Sequence, residues 1–114
     1  MLIREHRLTK QKNFERIWKY GESFFIREIG FKILKNDLGI SRFAFIVPNK
    51  ILKKAVSRNR LRRCLREIVR KRLKGIKFGF DCLIIARPGI GELSYQELEE
   101  KIERILRKIK LLRD

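Results

Sequence analysis

The apolar positions of this chain change period along its length, and each change marks an element. Phe14, Ile17 and Trp18 recur at helical spacing. Thr9 is placed to act as an N-cap and Gly21 as a left-handed stop, so the pattern predicts a helix over 9–20. From 23 to 34 alternation takes over. Ile29, Phe31 and Ile33 alternate with Glu28, Gly30 and Lys32, which reads as a strand with one apolar and one polar face. Asn36, Asp37 and Gly39 supply a turn. Over 42–47 the alternation resumes, with Phe43, Phe45 and Val47 inward and Arg42 and Ala44 outward, and the two strands are expected to pair as an antiparallel hairpin. Pro48 and Asn49 end the second of them.

Residues 53–74 return to the helical period. Leu61, Cys64, Leu65 and Ile68 gather within roughly a third of the helical circle, a stripe wide enough to bury. Gly75 and Gly79 close this helix, and 80–86, FDCLIIA, is a nearly unbroken apolar run. Such a run fits an interior strand covered on both faces, and the strand, helix, strand order predicts parallel pairing across the helix. Pro88, Gly89 and Gly91 make the next loop. Ser94 with Glu97 forms a capping box, and Leu93 with Leu98 a hydrophobic staple. Leu98, Ile102, Ile105, Leu106, Ile109 and Leu112 then form a stripe able to cover the sheet. With no internal repeat or low-complexity linker, residues 1–114 read as a single α/β domain.

Charge changes the picture at one place. The chain carries 30 Lys and Arg against 13 Asp and Glu, a formal net charge of +17. Residues 53–74, KKAVSRNRLRRCLREIVRKRLK, hold eleven of those cations against one acid, Glu67, and so contribute +10. By contrast, 92–114 balance six acids with six bases. An ordinary solvated helix alternates signs to gain i,i+4 pairs, whereas this one repels itself, so its cationic side is matched to a polyanion. Nucleic acid is the leading partner and an anionic membrane surface the second. A membrane-surface helix needs bulky aromatics on its apolar side, and this stripe has none. Arginine outnumbers lysine in it, which favours planar, bidentate grip on phosphates. No apolar run reaches the ~18 residues of a spanning helix and the start lacks the apolar core of a signal peptide, so a soluble, cytoplasmic protein is expected.

Candidate chemistry is sparse. Cys64 and Cys82 lie in apolar patterns without metal-ligand or CxxC spacing and are expected to be reduced core residues. His6 reads as a solvent-exposed bystander in a polar N-terminus. Ser41, Ser57 and Ser94 sit in turn or cap contexts, the acids concentrate on the last helix, and no phosphate-cradling glycine loop is present. The protein alone is expected to perform no bond chemistry, with no catalytic residue, metal ligand, protein-bound cofactor or small-molecule substrate. Phe14, Ile17 and Trp18 admit two roles: packing into the core, or, for a solvent-open ring, stacking on an unpaired base.

The run 47–67, VPNKILKKAVSRNRLRRCLRE, resembles the protein subunit of bacterial ribonuclease P, whose signature is the Arg58, Asn59, Arg60 triplet opening a basic helix. Arg7, Leu8, Phe14, Trp18 and Gly21 resemble that family's N-terminal helix, and 81–87, DCLIIAR, its strand ending in Ala-Arg. The resemblance runs from about residue 7 to 110. It implies an α/β (α+β) sandwich similar to a ribosomal small-subunit protein domain: a small, mostly antiparallel sheet, three helices, and a left-handed βαβ crossover through the basic helix, where the general rule gives a right-handed one. It also implies a catalytic RNA subunit that uses Mg²⁺ to hydrolyse precursor tRNA and release the mature 5′ end. The protein would bind that RNA through the basic helix and hold the precursor's 5′ leader in a cleft between the first helix and the sheet. By position, Lys50, Lys54, Arg58, Asn59, Arg60, Arg62, Arg63 and Arg66 would contact the RNA subunit, and Phe14, Trp18, Lys32, Arg42 and Ala44 would line the leader cleft. This chain departs from the family pattern at Lys32, where an aromatic is often found, at Ala44, where glycine is typical, and at Asn49, where a lysine usually precedes Lys50. Two other readings of the basic helix compete: a structural RNA-binding protein such as a ribosomal component, and a DNA-binding module with its arginines in a major groove.

Overall fold

The computed structural model describes residues 6–112. In chain order these form α1 (Gln11–Tyr20), β1 (Glu22–Phe25), β2 (Ile29–Lys35), β3 (Arg42–Ile46), α2 (Ala55–Arg72), β4 (Phe80–Ala86) and α3 (Tyr95–Lys108), with short 3₁₀ turns at Leu73–Gly75 and Ile90–Glu92. The four strands make one sheet in the order β1-β2-β4-β3. β3 and β4 pair in parallel across α2, as the strand, helix, strand order predicts. The other two pairings are antiparallel.

The expected hairpin between 23–34 and 42–47 does not form, because β4 lies between those strands. The reason is burial. Cys82, Leu83, Ile84 and Ala86 are all covered, on both faces of β4, and only a central strand can hide both. The hairpin that does exist is one step earlier, within the 23–34 segment, where Phe25 pairs with Gly30 and the Ile26 N–H donates to the Ile29 carbonyl at 2.9 Å. A Cβ at Gly30 would lie 2.7 Å from the Phe25 ring, so any larger residue would have to displace that half-exposed ring.

Alternation along the strands builds two cores. Ile29, Phe31, Phe43, Cys82, Ile84 and Ala86 face Leu61, Leu65, Ile68 and Val69 of α2 and Leu98, Ile102, Ile105 and Leu106 of α3. On the other face Leu83 and Ala44 meet Leu8 and Ile17, flanked by Phe14, Leu34, Ile46 and Ile85. The sheet is therefore sandwiched between α1 and the α2/α3 layer. Val69 joins the α2 stripe, whereas Cys64, expected in the core, is only half-buried; Cys82 is fully buried. Among the described residues no helix is long and apolar enough to cross a membrane.

Element ends depart from the local signals where tertiary contacts compete. Lys10, not Thr9, is the N-cap of α1 and offers no side-chain cap. The chain is drawn to the sheet first, since Leu8 donates to the Phe43 carbonyl at 2.8 Å, and the helix starts later. Gly21 is not left-handed but extended, with φ −72°. It is glycine because a Cβ would sit 2.5 Å from the Ile17 carbonyl oxygen and 3.1 Å from that of Ile33, where the helix end abuts β2. His6 is half-buried rather than free, its Nδ1 2.8 Å from the Ser41 carbonyl oxygen. The capping box of Ser94 and Glu97 forms as read. At the far end of α3 the stripe stops short of Leu112. Lys110 takes the left-handed conformation (φ 61°), and Leu111 donates to the Leu106 carbonyl at 2.9 Å and Lys110 to that of Arg107 at 3.1 Å. This Schellman closure turns Leu111 into the core and leaves Leu112 bridged to Ile76.

Asp81 ties three strand ends together. It is 2% exposed and accepts from Arg42 Nε at 2.8 Å and Nη2 at 2.7 Å, and from Asn36 Nδ2 at 2.8 Å. Asp81→Ala leaves the guanidinium and the amide without their acceptor, and is expected to lower unfolding stability by about 3 kcal/mol, the low end for a broken buried pair because Arg42 keeps some contact with water. Urea unfolding followed by circular dichroism measures this.

Candidate nucleic-acid interface

The cationic surface begins where α2 does. Its N-cap, Lys54, is extended and makes no side-chain cap, and the first turn has no acid. Lys53, Lys54, Arg58 and Arg60 thus crowd a helix end whose free N–H groups already carry positive potential, an arrangement that costs about 0.3–1 kcal/mol per cation until an anion relieves it. Lys50, in the turn after Pro48, and Lys54 are exposed on the approach.

The signature triplet divides its labour. Arg58 turns back and donates through Nη1 to the carbonyls of Leu52 at 2.9 Å and Lys53 at 2.7 Å, bracing the segment that leads into the helix. Asn59 Oδ1 accepts from Arg62 at 3.0 Å. Arg60 and Arg63 are exposed and Arg66 is half-buried, and none of these three side chains has a hydrogen bond or ion pair among the described residues. The acids all act further along. Arg70 donates through Nε to Glu67 at 3.0 Å and holds that carboxyl below the usual carboxylate range. Lys71 and Arg72 meet Glu99 of α3 at 3.9 and 3.1 Å. Among the described residues, neutralisation is therefore confined to the last turns of α2, leaving its N-terminal two-thirds bare of acids.

The residues expected in the leader cleft fall into three places. Phe14 and Ala44 line a groove of about 250 Å³ at the outer edge of β3, where Arg7 bridges Phe43, and Arg62 and Arg66 of α2 line the same groove. Trp18, one turn along α1 from Phe14, is 49% exposed and forms a second unit with Lys32, whose Nζ donates to the Trp18 carbonyl at 3.1 Å and lies 5.4 Å from the ring centroid. Arg42 stands apart. Its guanidinium is held by Asp81, which raises its pKa, and it lines a separate groove of about 340 Å³ with Lys10, Lys12, Asn13 and Arg16. The three apolar residues of the first helix thus split between the two roles left open: Ile17 is core, Trp18 is solvent-open, and Phe14 is intermediate.

Sequence reasoning missed Arg7 as a site residue. It lines the groove shared with Phe14 and Arg66, and its Nε is buried without a hydrogen bond. Nothing in the local pattern marks it, since the groove is assembled from three distant segments. Lys12 and Arg16 were legible as an i,i+4 cationic pair on the side of α1 away from Phe14. Among the described residues no group of three or more His, Cys, Asp or Glu could hold a metal ion.

Residues 2–110 match the family profile described as ribonuclease P. Among curated relatives, the ribonuclease P protein component of Pelotomaculum thermopropionicum is 37% identical over 106 residues, covering 93% of this chain and 94% of its own. That of Natranaerobius thermophilus is 35% identical over 105 residues, covering 92% and 90%. The chain belongs to the bacterial ribonuclease P protein family. Solved structures agree: the ribonuclease P protein of Staphylococcus aureus superposes with a TM-score of 0.87 at 26% identity, covering 94% of this chain and 97% of that one. That of Thermotoga maritima gives 0.82 at 31% identity, covering 90% and 96%. A ribonuclease P protein is a subunit of an endoribonuclease, which accords with a surface of unpaired arginines.

In this ribonuclease P protein the triplet's two arginines should separate experimentally. Arg58→Ala removes two backbone contacts and is expected to lower stability by about 1 kcal/mol, whereas Arg60→Ala, which touches no partner, changes it by less than about 0.5 kcal/mol. Thermal melts of the two variants in the absence of RNA make the comparison.

Proposed function

We propose that this ribonuclease P protein docks on the catalytic RNA subunit through α2 and holds the 5′ leader of precursor tRNA against α1 and the outer face of the sheet, assisting endonucleolytic removal of the leader. The observation that carries this reading is the shared groove: Arg62 and Arg66 of the RNA-docking helix and Phe14 and Ala44 of the leader cleft line one concavity. RNA lying along α2 therefore continues onto the leader surface without leaving the protein.

Each class of side chain has a role in that arrangement. Arg60, Arg63 and Arg66, lacking internal partners, are available to phosphates, and a guanidinium can grip two phosphate oxygens at once. Lys50, Lys54 and Arg62 add to the same field, while Arg58 and Asn59 hold the helix entry in shape. A leader is single-stranded, so its unstacked bases can lie on aromatic rings. Phe14 and Trp18, one turn apart, offer two such rings, and Lys32 beside Trp18 places a cation where the backbone passes. Arg42 contributes through its hold on Asp81 and the groove beside it more than as a free charge.

The RNA subunit, in this reading, carries the chemistry, and Mg²⁺ bound to it supplies charge neutralisation and an activated water. The protein's part is to bind, orient and screen phosphate repulsion, and this takes place in the cytoplasm, on precursor tRNA. A structural role on ribosomal RNA would use the same helix but leave the reaction untouched.

Processing of precursor tRNA by a bacterial ribonuclease P RNA at low Mg²⁺, with and without the protein, tests the proposal; stimulation is expected, and none would sink it. Each of Arg62→Ala and Arg66→Ala is expected to reduce the slope of log affinity for the RNA subunit against log salt by roughly 0.7–0.9, one phosphate contact apiece. Filter binding across a salt series reads that slope. Trp18→Ala is expected to weaken precursor tRNA about tenfold while leaving mature tRNA unchanged, as loss of one stacked base predicts. Circular dichroism of this variant should be native, since Trp18 is half-exposed, and equal losses for both tRNAs would refute the cleft assignment.

A further inference from the structure

The apolar stripe of α2 is covered unevenly: Leu61, Leu65 and Ile68 are buried, but Cys64 is only half-buried. Among the described residues, the ion pairs between α3 and α2 reach only Lys71 and Arg72, in the last turn of α2. Beside the N-terminal half of α2 lie Leu52, the 3₁₀ turn at Ile90–Glu92 and only the first turn of α3, with Tyr95 and Leu98. A groove of about 300 Å³ remains there, on the other side of α2 from the one shared with Phe14. Leu61 and Leu98 form its floor, Cys64, Leu93 and Tyr95 its walls, and Ser57 and Arg60 its polar rim.

We infer that this groove receives an unstacked base of the RNA subunit, so that α2 is gripped by phosphates on its cationic side and anchored by one base beside its apolar stripe. The inference rests on the reading that α2 docks that RNA. Charge complementarity selects the occupant. No acidic side chain lines the groove, and Arg60 sets a cation on the lining of an apolar slot, in a helix whose N-terminal end is positive throughout. A flat ring attached to an anionic backbone matches both features. A second copy of a chain of charge +17 would be repelled, and an apolar peptide would leave the cations unmet. The volume is on the scale of one nucleotide, Ser57 and Arg60 can hydrogen-bond a base edge, and the Tyr95 ring, with Lys71 Nζ 5.1 Å from its centroid, adds an aromatic wall with a cation beside it.

Cys64 is a built-in reporter of the groove. It is half-buried there, while Cys82 is fully buried with its thiol pushed far up by desolvation, so a thiol reagent modifies the folded protein at Cys64 alone. The experiment measures the rate of N-ethylmaleimide addition by mass spectrometry for the free protein and for its complex with a transcribed bacterial ribonuclease P RNA. Saturating RNA is expected to slow modification at least tenfold. Covering of the mouth alone would also protect the thiol, so a second measurement varies what fills the slot. Protein carrying the bulky maleimide adduct at Cys64 should bind the RNA about tenfold more weakly, and protein carrying the small methylthio adduct less than twofold more weakly, both with native circular dichroism. A thiol that stays reactive in the complex overturns the inference, as does an affinity indifferent to adduct size. If the unmodified protein fails to bind the RNA, the reading of α2 itself falls, and binding measured before any labelling distinguishes that case.

Discussion

The requirement that β4 be covered on both faces sets the rest of the molecule. A strand whose side chains are apolar above and below can lie only inside a sheet with material on each side. That places β2 and β3 on its two flanks, α1 on one face and the α2/α3 layer on the other. It also leaves β3 at the side of the sheet from which α2 departs. The groove between α1 and the arginines of α2 follows from this placement. Had β2 and β3 paired with each other, Ala44 and Arg62 would have no reason to share a surface.

Electrostatics then divides α2 into two functional lengths. Its last turns are neutralised by Glu67 within the helix and by Glu99 and Glu103 across it, so this part behaves as scaffold. Its first turns carry cations against the helix dipole with no compensating acid. That is unfavourable for an isolated protein and is relieved on binding phosphate, so affinity for a polyanion is stored in the free fold as local repulsion. The acids that the chain does possess are concentrated on α3, whose ion pairs to α2, among the described residues, reach only its last turn. Their position confines the bare positive field to the region facing the grooves.

Local signals were most legible where a single element decides its own fate. The Ser94 and Glu97 capping box, the apolar stripe of the basic helix and the parallel pairing across it are all found in the structure, because capping and amphipathic period depend on neighbours a few residues away. Signals were misread where a distant segment competes for the same backbone. Thr9 gives way as a cap to Lys10 because Leu8 is drawn to Phe43. Gly21 is required by the approach of the Ile17 and Ile33 carbonyls and not by a left-handed turn. Lys110 accepts the left-handed conformation because it delivers Leu111 to the core. In the candidate site, the charge of α2 could be read directly and the outward placement of Lys32 followed from alternation, but Ala44, expected outward, is buried against Leu8 and Ile17, and the bracing role of Arg58, the pairing of Arg42 with Asp81 and the entry of Arg7 into the groove could not be read.

By itself, then, the amino-acid sequence determined the identity of most elements, the cationic character of α2, and, through the spacing of its anchors, the family. These are properties of composition and short-range period, which survive without knowing what packs on what. Tertiary structure alone decided the strand order, which arginines keep free guanidinium groups and which are engaged, and the meeting of the α2 arginines with Phe14 and Ala44 in one groove. The physical reason is common to all three. Each depends on desolvated contacts between residues tens of positions apart, and their outcome is settled by which segment gains most from burial.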